Sequence, residues 1–107
     1  MSTKKNRIYF IKEVEKIILE NKGELVKEDE HKKEFKIPMS DNDLHITLYE
    51  ESDHKTLYSV FMCFDKPRTD LGNRYSGKHN FHQSEGGMVD TIEVVDRFEE
   101  FLLNALK

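Results

Sequence analysis

A chain of 107 residues in which charged and hydrophobic side chains each make up 36% fits one domain with its own core. The net charge of −4 argues against a general polycation for nucleic acid, and a single cysteine, Cys63, rules out a disulfide framework within the chain. The apolar residues are clustered and periodic, which argues for a folded domain. No run is long and apolar enough to span a bilayer, so a reducing, cytoplasmic setting is expected with no membrane partner.

The spacing of Ile8, Ile11, Val14 and Ile18, flanked by Phe10 and Ile17, predicts an amphipathic helix over 7–22. Asn6 is its expected N-cap and Gly23 its expected C-terminal stop. Four strands follow. Glu24–Glu28 is weak, with only Leu25 and Val26 apolar. Glu34–Met39 alternates, with Phe35, Ile37 and Met39 on one side and Pro38 limiting pairing on the other. Leu44–Tyr49 places Leu44, Ile46 and Leu48 inward and His45, Thr47 and Tyr49 outward. Thr56–Phe64 is nearly continuous: Leu57, Phe61 and Cys63 share one face, and Tyr58, Val60, Met62 and Phe64 the other. This suits a central strand with both faces at least partly covered. Short polar connections imply antiparallel hairpins and a meander.

Between Asp65 and Gly87 lies a segment long for a compact domain, in which Lys78–His82 has the makings of a short fifth strand with Phe81 inward and His82 outward. Gly86-Gly87 then precedes an acidic amphipathic helix over about 90–105. Ile92, Val95, Phe98, Leu102 and Leu106 form its stripe, widened by Val94, Phe101 and Ala105. The expected fold is a single α+β domain over 1–107 in the order α-β-β-β-β-(short β or loop)-α. Its sheet is an antiparallel meander with both helices on one face. The Tyr, His and Thr residues of the other face, His45, Thr47, Tyr49 and Tyr58 among them, then form either a binding surface or ordinary cross-strand pairs.

Chemistry-bearing patterns are sparse. His79-x-x-His82 offers two metal ligands, but nothing nearby completes a zinc set and strand spacing sends the two to opposite faces, so no metal is expected. Cys63 beside a histidine would make a nucleophile pair, yet it sits in the apolar run Phe61-Met62-Cys63-Phe64, where a cysteine usually packs. Ser76-Gly77-Lys78 lacks the remaining parts of a phosphate loop. Glu50-Glu51 and Glu99-Glu100 read as solvated faces. The chain is therefore expected to be non-enzymatic and to need no cofactor.

The segment 66–82 is different. Lys66, Arg68, Asp70, Arg74 and Lys78 give it a balance of +3, leaving −7 on the rest of a chain whose total is −4. A basic loop on an acidic body points to an anionic ligand or partner surface. Arg68, Asn73, Arg74, Tyr75, Lys78, His79 and His82 are the candidate binding residues. The bland reading is that Phe81 fills the core, Tyr75 packs on a turn and the cations pair with the acidic body. The binding readings are an acidic protein partner or, as the alternative, nucleic acid contacted by Arg68, Arg74 and Lys78 with Tyr75 and Phe81 stacking on bases. Exposed strand edges also offer a homodimer contact.

The run Asn73-Arg74-Tyr75-Ser76-Gly77-Lys78-His79-Asn80-Phe81-His82, followed by an acidic C-terminal helix, resembles small uncharacterised proteins of phages and other mobile elements, in which it reads about N-P-Y-S-G-K-W-N-F-H. The likeness covers the last third of the chain, which departs from the pattern with Arg74 in place of Pro and His79 in place of Trp. It implies a genomic setting in which small proteins act by binding, as inhibitors of host defence such as anti-CRISPR proteins or as accessories to replication and packaging. It carries no activity.

Overall fold

The computed structural model describes residues 2–40, 42–50, 58–66, 79–82 and 87–106. These form helix α1 (Ser2–Glu20), strands β1 (Glu24–Glu28), β2 (Lys32–Ile37), β3 (Leu44–Glu50), β4 (Tyr58–Phe64) and β5 (His79–His82), and helix α2 (Met88–Ala105). The strands pair in sequence order as an antiparallel meander, and the helices pack on one face, as the hydrophobic pattern predicts.

α1 begins earlier than its apolar spacing suggests, and Asn6 lies inside it instead of capping it. Its buried residues are Asn6, Phe10, Val14, Ile17 and Ile18, whereas Ile8 is 45% exposed. The stripe is therefore rotated away from the one drawn through Ile8. The helix ends in paired reverse hydrogen bonds, from Lys22 N–H to the Leu19 carbonyl (3.3 Å) and from Gly23 N–H to the Ile18 carbonyl (2.9 Å). The left-handed position is Lys22, at φ 70°, not Gly23. Gly23 is instead required by crowding, because a Cβ there would lie 2.7 Å from the Ile18 carbonyl oxygen.

β1 is exposed throughout and carries a register irregularity between Leu25 and Lys27, a common feature of edge strands. In the turn to β2, Asp29 accepts the His31 N–H at 2.8 Å, and this bond draws its carboxyl below the ordinary value. β2 starts and ends two residues earlier than expected, so Pro38 follows the strand and costs it no ladder bond. Phe35 and Ile37 from β2, Leu44, Ile46 and Leu48 from β3, and Val60, Met62 and Phe64 from β4 make the sheet's contribution to the core. Phe81 of β5 extends it, edge-on to Phe98 (5.8 Å between centroids) and Phe101 (5.5 Å) of α2.

α2 buries Thr91, Val94, Val95, Phe98, Phe101, Leu102 and Ala105, while Ile92 stands 37% exposed. Thr91 takes the buried place expected of Ile92 because its hydroxyl is satisfied by the Gly87 carbonyl at 3.0 Å. Leu106 lines a small cleft with Glu20, Asn21 and Lys22, so the two helices bring their C-terminal ends together. On the outer flank, Lys33 Nζ bridges Glu15 of α1 (3.0 Å) and Glu28 of β1 (3.6 Å). The Glu15 hydrogen bond raises its pKa. Among the described residues no helix is long and apolar enough to cross a membrane.

Candidate interaction face

Two-residue periodicity fixes what the other side of the sheet displays. Every β3 and β4 residue that faces a helix is followed by one that does not, and antiparallel register lines these up in cross-strand rows. One row runs Lys32, Tyr49, Ser59, His82; the next runs Glu34, Thr47, Phe61, Asn80; the third runs Lys36, His45, Cys63. Neither helix packs on this face. Asn80 and His82 are exposed, and Thr47, Tyr49, Phe61, His45 and Cys63 are half-buried. β4 is at least partly covered on this face as well, as its sequence leads one to expect, with Ser59 buried and Phe61 and Cys63 half-buried.

The rows are cross-linked by side chains. Ser59 Oγ and His82 Nδ1 are 2.6 Å apart, and Tyr49 Oη donates a longer bond of 3.4 Å to Asn80 Oδ1. The first ties the short edge strand β5 to its neighbour β4, and the second reaches past β4 to β3. Ser59 and His82 have the spacing of a nucleophile and its base, but Ser59 is 0% exposed, so its hydroxyl is closed to an incoming substrate. At the end of β3, His45 Nε2 meets Asp65 Oδ1 at 2.5 Å, with both side chains about half exposed. At the far end of the strand, His31 Nδ1 meets Glu50 Oε1 at 3.0 Å.

Where β4 ends, the amide of Asn42 clamps the main chain of Lys66. Nδ2 donates to the Lys66 carbonyl (2.9 Å) and Oδ1 accepts the Lys66 N–H (2.8 Å). The chain re-enters the sheet at His79, opposite Met62, and continues to His82, opposite Ser59. The chain thus leaves the sheet at Lys66 and rejoins it at His79.

Of the residues singled out from sequence, His82 lies on this face as expected. For His79 the register alone is described, and its parity with Met62 separates it from His82. Arg68, Asn73, Arg74, Tyr75 and Lys78 lie outside the described residues. Sequence reasoning did not single out Ser59, Phe61, Asn80, Asp65 or Asn42. For the first three the signal was available: Ser59 and Phe61 share the parity of Cys63, and Asn80 that of His82. Asn42 and Asp65 depend on which loop meets which strand end, which no local pattern shows.

Among the described residues no three His, Cys, Asp or Glu side chains converge as a ready-made metal site. Tyr58, on the helix side, is held above the usual phenol range first by burial and then by Glu50. Burial likewise raises Tyr9, with Glu13 and Asp96 adding to it. Comparison of the chain with protein-family models, with curated proteins and with solved structures finds no match.

Proposed function

We propose that this chain is a non-enzymatic interaction protein that binds a protein partner through the helix-free face of its sheet, together with the basic-aromatic segment that joins β4 to β5. The observation that carries the reading is the composition of that face. Tyr49 and Phe61 sit among hydrogen-bonding Thr47, Asn80 and His82 on adjacent strands, while the aliphatic side chains are turned to the helices. Rigid aromatic anchors ringed by polar groups are what protein interfaces use for their energetic centre. The resemblance to mobile-element proteins supplies the setting: a phage or mobile-element protein in the cytoplasm that modulates a host or phage protein, as host-defence inhibitors such as anti-CRISPR proteins do.

The test is capture of partners with the full chain, with and without nuclease treatment, followed by affinity measurements on the purified partner. Tyr49→Ala is expected to weaken binding by about 2 kcal/mol, roughly thirtyfold, without loss of fold. Arg74→Ala and Tyr75→Ala are expected to weaken it as well. Recovery that vanishes with nuclease and falls steeply with salt would replace the protein partner by nucleic acid. Unchanged affinity in all three variants would reject the surface.

A further inference from the structure

The third row of the helix-free face places a thiol, an imidazole and a carboxylate in succession. Cys63 and His45 are directly opposed across β4 and β3, so their Cβ atoms lie about 4.5–5.5 Å apart. Asp65, two residues beyond Cys63 on the same side of the strand, holds the far nitrogen of the His45 ring at 2.5 Å. A carboxylate in that position accepts from Nε2–H, which leaves the lone pair of a neutral imidazole on Nδ1. Cys63 is partly exposed and is the chain's sole thiol.

A histidine whose second nitrogen donates to a carboxylate is the usual outer arrangement of a metal ligand: the carboxylate fixes the ring and raises its basicity. A metal–sulfur bond of about 2.3 Å and a metal–nitrogen bond of about 2.0 Å together span roughly 4 Å, within reach of two opposed side chains by rotation about their own bonds. Two protein donors are too few for zinc, which takes four. A thiolate with an imidazole suits a soft monovalent ion of low coordination number.

We propose that Cys63 Sγ and His45 Nδ1 form a two-donor site for a soft monovalent metal ion of the copper(I) class, with Asp65 holding His45 from behind. Binding releases the thiol proton and moves no electrons. The site lies apart from the Tyr49–His82 rows and stands or falls independently of the partner-binding reading.

The test is anaerobic titration of the reduced full-length chain with Cu(I) in competition with a chromogenic chelator. Circular dichroism checks the fold of each variant. One equivalent per chain is expected, abolished in Cys63→Ser and weakened about 10- to 100-fold in Asp65→Asn. The ¹⁵N resonance of His45 Nδ1, and not that of Nε2, is expected to shift on loading. The assignment is overturned if the chelator keeps all the copper, if His45→Gln binds as well as the parent chain, or if zinc is taken in preference with two chains per ion.

Discussion

Replacing Asn6 by leucine removes a buried polar side chain to which the described residues offer no hydrogen bond. Asn6 is 1% exposed, in line with Phe10 and Val14 on the buried stripe of α1, and neither its Oδ1 nor its Nδ2 has a hydrogen-bond partner among the described residues. An unsatisfied buried polar group costs about 1–3 kcal/mol. Leucine has a similar size and a helix propensity better by roughly 0.5 kcal/mol. Its different shape returns up to about 1 kcal/mol as packing strain. The net expectation is a gain of about 2 kcal/mol, or about 8 °C in Tm at roughly 4 °C per kcal/mol for a domain of this length. Urea titration followed by circular dichroism should show a higher midpoint with an unchanged slope. A loss of 1 kcal/mol or more would refute the reasoning, because it would mean that the Asn6 amide is satisfied in the native protein.

Four further outcomes follow from local geometry. Gly23→Ala should destabilise by about 1–3 kcal/mol, since its Cβ would be driven into the Ile18 carbonyl, whereas Lys22→Gly should stabilise by up to about 1 kcal/mol by relieving a positive φ; paired thermal melts check both. Lys33 has its pKa raised, first by the Glu15 hydrogen bond, so its contribution to stability is complete below the ordinary value of 10.5 and is lost as pH climbs through the raised one; in melts across that range Lys33→Met should lose less stability than the parent. Asn42→Ala removes two bonds to the Lys66 main chain and should cost about 1–2 kcal/mol, with faster amide exchange at Lys66 than at core positions of β4 as the local readout.

Alternation made the sheet legible. Leu44-x-Ile46-x-Leu48 and Phe35-x-Ile37 can face a core in only one way, and short polar connections leave the meander as the simplest order of pairing. The rotation of each helix was harder to read. In α1 the choice between Ile8 and Asn6 went against hydrophobicity, because docking of the bulky Phe10, Val14 and Ile18 sets the buried face and Asn6 is carried along with it. In α2 the same holds for Ile92 and Thr91, where Phe98, Phe101 and Leu102 decide the rotation and a local hydroxyl bond makes threonine tolerable inside. On the helix-free face, parity gave His82 and Tyr49 their side of the sheet. The juxtapositions His45–Cys63, Ser59–His82 and Asn42–Lys66 depend on register and loop closure, which single-strand patterns do not encode.

The sequential order of the strands bears on how the chain is made. Each strand pairs with the one synthesised just before it, so the sheet can assemble as it leaves the ribosome, with little delay from long-range search. Helix α2 follows all five strands in the chain. Until Phe98 and Phe101 have emerged, Phe81 lacks the two rings that pack edge-on against it. A nascent chain stalled before Met88 would therefore display a half-dressed sheet, the kind of surface that chaperones hold and proteases cut.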